Sequence, residues 1–466
     1  MEFVESGVSG TYSPGMSSGI CVVIPTFRRE DDATAQADRF ARMAVVSSVH
    51  VIDQAGTLAA HQPFTALQER APEVHLVTQP NLGGSGGYAR GMLESMTSTA
   101  GPILLSDDDA ILPEEALTAM VEYQASTARP TIMGTGMLAA ENPTMLVSQA
   151  EAVRKRDFMW GPADGVHEAL DVKSSSEHVN SALRLRARPN YSGWWGTLLP
   201  PGAVAELGLP APYFLKWDDA EYGLRATAHG YDTVVLPQAR VIHPTWGAYK
   251  TQMGWTARIL HRNRLTTAAA HGAGRGVVVS SLLHQIKHIL AGHHLTATLW
   301  SAGIDQFLAG PQEWLGRDLA RARQDGQELV DRWYRNHPER QAHPKATRPS
   351  SLPLGPALLR ALVGLIPLPR TRVVLHLPVD DVNWRTTLGA DVVVMIAPDG
   401  SIAGELSPQR ATARTLLAHT VRQHAIMMRR WRRLRKLYRQ ALPTWTTPEA
   451  WKQMITRAEA EQAHHT

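Results

Sequence analysis

The stretch ILLSDDDAILPEEAL, Ile103–Leu117, sets three adjacent carboxylates between an apolar run and a Pro-Glu-Glu helix start. Ile-Leu-Leu reads as the end of a buried strand, and Asp107, Asp108 and Asp109 follow it almost at once. Like charges crowded at a strand end repel one another and call for a compensating cation. On an extended backbone Asp107 and Asp109 point to one side. Paired carboxylates of that kind suit Mg2+ or Mn2+, hard ions that prefer oxygen and that also hold substrate phosphates. A capped turn is the plainer reading, but three acids in a row weigh against it.

The pattern repeats on the N-terminal side. ICVVIPTF (20–27), SSVHVIDQAG (47–56), EVHLVTQPN (73–81) and GPILLSDDD (101–109) are short apolar runs, with the helix-like pieces EDDATAQADRFARMA and GGYARGMLESMTS between them. Strand, helix, strand in this rhythm predicts an α/β fold with a parallel sheet and right-handed crossovers. Ligands of such sheets bind at the carboxyl ends of the strands, where Thr26, Asp53, Asn81 and the three aspartates fall. In NLGGSGGYARG (81–91) the glycines let backbone amides approach a diphosphate ahead of a helix N-terminus. Gly84-x-Gly86-x-x-Ala89 is a weak dinucleotide fingerprint in the wrong place, because that fingerprint follows the first strand of its fold and the first strand here ends in IPTFRR.

At 466 residues the chain is too long for one ordinary core, and 44% hydrophobic with 19% charged residues marks it as globular. Its single cysteine, Cys21, excludes an intrachain disulfide and fits a reducing cytosol. Residues 1–18 read as a mobile Ser- and Gly-rich tail without the pattern of a signal peptide. No apolar run reaches the roughly 18–20 residues that cross a bilayer. The net charge of +4 is uneven, with eight Lys or Arg and no acid between Arg422 and Arg439 and a net acidic remainder. Local basicity points to one anionic partner surface and away from a nucleic-acid coat.

Further along, YSGWWGTLLPPG carries Trp194 and Trp195, a pair that suits either a core or a sugar-stacking platform. FLKWDDAEYGLRA (214–226) places Asp218 and Asp219 at a helix start, where one can cap backbone N–H groups and the other can serve as a base. RVIHPTW ends a strand at His243. Residues 251–335 read as helical, 336–356 as a Pro-rich linker, and 357–466 as a small module of two strand-like pieces and a long helix opened by Ser407-Pro408.

Taken in order, Pro-Thr at a strand end, the acid of VIDQ, Asn-x-Gly-Gly, Asp-Asp-Asp, Trp-Trp, KWDDAEYGLRA, His-Pro and HRNRL (261–265) resemble the GT-A, family-2 type of inverting glycosyltransferase. The set is most similar to the bacterial galactofuranosyltransferases that elongate cell-wall galactan. The similarity runs over residues 19–270 and continues more weakly into the C-terminal helices, without the β-rich N-terminal domain of the galactan polymerases. It implies a GT-A Rossmann-like mixed sheet over 19–250 with a helical C-terminal extension. It implies nucleotide-sugar contacts at Thr26, Arg29, Asp53, Asn81, Gly84, Asp108 and His261, and Mn2+ or Mg2+ held by Asp107, Asp109 and His243. Asp219 would be the general base, with Trp194, Trp195 and Asp218 facing the acceptor. The implied reaction moves a sugar, galactofuranose in the first instance and rhamnose as an alternative, from a nucleotide donor to a lipid-linked glycan. Self-association is left open.

Two rivals remain. An aspartyl-nucleophile phosphatase also uses Asp-x-Asp at a strand end, though on its first strand. A glycan-binding assembly protein without activity is the other. On the helix through 421–440, Met427, Trp431, Leu434 and Tyr438 share a face flanked by arginines 429, 430, 432, 433 and 435. That arrangement suits a peripheral helix at an anionic membrane surface, on the cytoplasmic side of the cell membrane.

Overall fold

The computed structural model describes residues 19–464 except 165, 167–168, 175–186, 246–252, 318, 339–342 and 349. The expected tail at 1–18 and part of the expected linker at 336–356 lie outside the described residues.

Four β-branched runs build the first half of the sheet: β1 (Ile20–Thr26), β2 (Val46–Asp53), β3 (Val74–Thr78) and β4 (Ile103–Leu105). They pair in parallel, and helices α1 (Glu30–Ala41), α2 (Gln62–Arg70) and α3 (Gly83–Ser98) cross over between them. Both faces of β1 are covered, and Cys21 through Ile24 have no exposed surface. That burial explains why the strand is a continuous apolar run and not an alternating one. Helix α4 (Glu114–Ser126) then leads to β5 (Thr131–Ala139) and β6 (Asn142–Ser148). After the short ribbon of β7 (Glu151–Val153) and β8 (Trp160–Pro162) come β9 (Leu170–Asp171) and β10 (Thr197–Leu199). Helix α5 (Asp218–Ala228) and β11 (Asp232–His243) complete the half that carries the large sheet. The sheet order is β3-β2-β1-β4-β10-β5-β6-β9, with β11 also paired to β5. Strand β10 runs antiparallel between β4 and β5, so the sheet is mixed.

A helical layer follows: α6 (Thr256–Ala270), α7 (Gly276–Leu290), α8 (His294–Ala309) and α9 (Ala322–Asn336). Helix α10 (Leu354–Val363) precedes a three-stranded sheet of β12 (Val374–Pro378), β13 (Val392–Ile396) and β14 (Ile402–Leu406) with its own small core. The chain ends in α11 (Arg410–Trp445) and α12 (Pro448–Ala463).

Helix α11 corrects two expectations. It starts at Arg410 with Gln409 as its N-cap, not at Ser407-Pro408. Its apolar stripe is not free for a membrane, because Met427, Trp431, Leu434 and Tyr438 are all at most 1% exposed. They sit in one cluster with Tyr213, Phe307 and Trp314. The Trp431 indole donates to the Ala273 carbonyl at 2.9 Å, and the Tyr438 hydroxyl donates to the Phe307 carbonyl at 2.9 Å. Amphipathicity records that a face is buried, not what buries it. Here α6, α7 and α8 bury it, so α11 packs with the helical layer and not with the small sheet. Arg429, Arg432 and Arg433 stay exposed on its other side. In α12 the Trp451 indole donates to the Pro210 carbonyl at 2.9 Å and returns the chain to the half that carries the large sheet.

The helical layer encloses a row of neutral histidines. His293, 1% exposed, shares a hydrogen bond of 2.8 Å with the Thr387 hydroxyl, and burial holds its pKa down at about 3. An unfolded histidine titrates near 6.5, so below that pH the unfolded chain binds a proton that the folded chain refuses. This contribution is complete above about pH 6.5 and is lost as pH falls towards 3. Relative to His293→Gln, the wild type should lose about 1.4 kcal/mol of unfolding free energy per pH unit between pH 6 and 4.5. Denaturant titrations of both proteins check this, and a pH-independent difference would contradict it.

Candidate active site

The turn after β4 is clamped from several sides. Gln36, buried on α1, donates to the carbonyls of Asp107 and Ala110 and to the Ser106 hydroxyl. Just beyond, Ile111 and Ile242 exchange two backbone hydrogen bonds of 2.9 Å. That bridge ties the aspartate turn to the end of β11 and so delivers His243. Its Nε2 lies 3.1 Å from Asp109 Oδ1 and 3.5 Å from Asp107 Oδ2. Asp107, Asp109 and His243 thus form a three-ligand group whose ligand atoms lie within 4.8 Å of one another, the one such group among the described residues.

The donor set fits a divalent ion. Two carboxylate oxygens and an imidazole nitrogen make a mixed N/O site that accepts Mn2+ readily. His243 Nδ1 lies 2.7 Å from the Pro244 carbonyl, which accepts a hydrogen bond from Nδ1–H and leaves the Nε2 lone pair for a metal. Without the ion the histidine itself supplies the positive charge. Burial opposes that charge, but hydrogen bonds to Asp107 and Asp109 outweigh it and raise the pKa of His243 to about 10. For Asp109, burial works against ionisation, yet His243 and Arg29 together hold it below the ordinary carboxylate range. Arg29 Nη1 reaches Asp109 Oδ2 at 2.6 Å, and the Thr26 hydroxyl donates to Asp108 Oδ2 at 2.7 Å. Burial dominates at Asp108 and lifts its pKa to about 7, against the opposing pull of Thr26 and Arg29.

The second pair of acids opens α5. The N-cap residue is Trp217, in left-handed backbone and with no cap from its own side chain, and Asp219 accepts from the first-turn amide of Ala220 at 2.7 Å. Asp218 instead accepts from the Ser85 hydroxyl at 2.8 Å, while Asp219 lies half-buried beside Tyr191, Ser192, Trp194 and Tyr222. Ser85 belongs to α3, and so does Tyr88, whose hydroxyl lies 2.7 Å from Asp107 Oδ1 and 2.9 Å from the Trp194 carbonyl. Residues three apart on a helix share a face. The first turns of α3 therefore bridge the two acid groups, Ser85 to Asp218 and Tyr88 to Asp107. Burial and the adjacent Asp218 charge push the pKa of Asp219 well above the usual carboxylate range, and Glu151 adds to the effect.

Glycine is required where α3 starts. Gly83 has φ +71°, and a Cβ there would lie 2.0 Å from the Phe214 carbonyl oxygen. Asn81 accepts from the Gly83 amide at 3.0 Å, and a Cβ on Gly84 would face Asp218 Oδ2 at 3.7 Å. Asp53 is buried, and its carboxylate accepts from the amides of Ala55, Gly56 and Leu58. Its role here is to shape the turn after β2.

Two expectations meet a different arrangement. Trp194 and Trp195 are 5% and 6% exposed. Trp194 packs edge-on to Tyr88 and Tyr222, and Trp195 packs near His243, so the rings form the wall behind the site and show no open face for stacking. His261 is also buried, with Nε2 2.9 Å from Ser281 Oγ and its ring stacked on Trp300 inside the helical layer.

In the same HRNRL segment the residue facing the site is Asn263. Fully buried, its amide donates to the carbonyls of Leu215 and Lys216 at 3.0 Å each and of Tyr213 at 3.3 Å. That loop holds Phe214, Lys216 and Trp217 at φ +72°, +67° and +75°, strained for side chains of this size. Asn263 is thus a positioning residue for Asp218 and Asp219. Asn263→Ala should lower turnover by about 10–10²-fold through misplacement of Asp218 and Asp219, and stability by about 1–3 kcal/mol through orphaned carbonyls. Donor affinity should stay within about twofold. Steady-state kinetics beside donor titration check this, and unchanged turnover would contradict it.

Residues 18–268 match the family described as "Glycosyltransferase like family 2", and residues 277–457 match "Galactofuranosyltransferase-2, domain 3". The galactofuranosyltransferase GlfT2 of Mycolicibacterium smegmatis is 32% identical over 96% of this chain and 74% of its own length. GlfT2 of Mycobacterium tuberculosis is 30% identical over 97% of this chain and 76% of its own. Among solved structures, a mannosyltransferase of Pyrobaculum calidifontis in complex with GDP-Man and Mn2+ superposes with a TM-score of 0.39 at 15% identity, covering 70% of this chain and 84% of that one. The phosphatase and inactive-binder readings fall with these matches. The chain belongs to glycosyltransferase family 2 and is a glycosyltransferase related to the galactofuranosyltransferases.

Proposed function

We propose that the chain transfers galactofuranose from UDP-galactofuranose to a lipid-linked cell-wall glycan, using Mn2+ or Mg2+, in one inverting displacement at the cytoplasmic face of the membrane. The observation that carries this reading is the Asp107–Asp109–His243 group joined through one face of α3 to the Asp218–Asp219 pair. When bound, a divalent ion would neutralise charge developing on the departing diphosphate. Arg29 adds a fixed positive charge at the same end of the sheet. Asp219, kept a stronger base than an ordinary carboxylate, takes the proton of the attacking hydroxyl. Ser85 and Asn263 hold the segment that carries it. The names of the relatives supply the sugar, and the galactan acceptor comes from the sequence resemblance.

A panel of nucleotide sugars with Mn2+ and lipid-linked galactan primers tests the proposal. UDP release from UDP-galactofuranose should require the primer and stop on chelation. Turnover of a rhamnosyl donor in its place would move the donor assignment.

A further inference from the structure

Behind Asp219 the packing leaves a gap. Asp219 and Tyr222 lie three apart on α5 and so share a face. With Ile132 of β5, Leu199 of β10 and Thr233 of β11 they line a cavity of about 10 Å3, room for a single water. A void of that size walled by aliphatic groups alone would stay dry. This one has polar groups in its wall.

Two of them need a partner. The hydroxyls of Tyr222 and Thr233 are both buried, and among the described residues neither meets a hydrogen-bonding atom. Tyr222 is 1% exposed, with its ring edge-on to Trp194 and the Arg225 guanidinium 5.0 Å from its centre, so the phenol is fixed in place. Burial raises its pKa and keeps it a donor. Buried hydroxyls are rarely left unpaired, and here two of them, from α5 and β11, border one water-sized space. The third polar group is the carboxylate. Asp219 Oδ1 accepts from the Ala220 amide at 2.7 Å, which leaves Oδ2 for another donor. Three polar partners are the usual number for a buried water.

We infer that this cavity holds one ordered water that ties the Asp219 carboxylate to the Tyr222 and Thr233 hydroxyls, which makes Tyr222 a positioning residue for the base. The phenol donates to the water oxygen. The water donates one hydrogen bond to the carboxylate and the other to the Thr233 oxygen. A donor behind the carboxylate stabilises its ionised form and fixes its rotation towards the acceptor hydroxyl. It opposes the groups that hold Asp219 protonated, namely Asp218 on its own helix and Glu151 from β7. Lys216, in the loop before α5, is the cation on the same side as the water, and Tyr191 is the remaining titratable neighbour. The inference rests on Asp219 as the proposed base and adds the residue that tunes it.

The pH profiles of turnover in Tyr222→Phe and Thr233→Val test it, because each substitution keeps the side-chain volume and removes one hydroxyl. Both variants should melt close to the wild type and bind the nucleotide sugar as it does. In Tyr222→Phe the acid limb of turnover should move to higher pH by about one unit, since the carboxylate loses a donor. In the double variant the shift should be smaller than the sum of the single shifts, because both hydroxyls act through one water. A crystal structure of the wild type should show that water within hydrogen-bonding distance of all three groups. A dry cavity in the crystal, or an acid limb unmoved in folded Tyr222→Phe, would overturn the inference. Persistence of the acid limb in Asp219→Asn would refute the base reading and with it the role of Tyr222, and the crystal structure would still decide the water.

Discussion

Asp219→Asn should cut turnover by about 10²–10⁴-fold, the usual worth of a general base, and leave nucleotide-sugar binding intact. Asparagine keeps the shape of the side chain and the acceptor that closes on the Ala220 amide at 2.7 Å. It loses the ability to take a proton. The proposed metal-binding group lies on other elements, β11 and the turn between β4 and α4, so the donor should still dock. The pH profile gives a second readout. A base works in its ionised form, so wild-type turnover should rise with pH through the raised pKa of Asp219. That limb should vanish in the variant. Asp218→Asn offers the complementary case, because it keeps an acceptor for Ser85 and removes the neighbouring charge. The pKa of Asp219 should then fall and the acid limb should move to lower pH. Near wild-type transfer by Asp219→Asn would return the residue to a structural role.

His243→Ala and Asp109→Asn should each weaken donor binding in Mn2+ by at least about tenfold, in line with the cost of losing one ligand or its support. The two variants fail for different reasons. His243→Ala removes the nitrogen ligand, together with the charge that compensates Asp107 and Asp109 in the metal-free protein. Asp109→Asn removes one anionic ligand and the partner of Arg29. The gain in nucleotide-sugar affinity on adding Mn2+ should shrink in both variants, because the loss is a loss of metal linkage. The check is donor titration with and without Mn2+. An unchanged metal dependence in His243→Ala would make the histidine a packing residue.

Much of the sheet was legible because each strand buried on both faces must be a continuous apolar run, and β1 to β4 are spaced by helices of ordinary length. The carboxylate turn was legible because uncompensated charge is costly. His243 was legible only by its company in the resemblance, since the Ile111–Ile242 bridge that delivers it leaves no mark on local spacing. Other residues needed the fold. In HRNRL the histidine drew notice as a phosphate contact, yet Asn263 is the side chain that reaches the site loop. Tyr88 and Ser85 were hidden inside a glycine-rich segment whose glycines took the attention. The α11 stripe was read correctly as one face and wrongly as a free one.

The most direct test is one titration series, UDP-galactofuranose in Mn2+ against wild type, Asp219→Asn and Asp109→Asn. A division of labour between the two acid groups predicts equal donor affinity for wild type and Asp219→Asn and a clear loss for Asp109→Asn. Loss of affinity in Asp219→Asn to the same degree, or full retention in Asp109→Asn, would contradict it.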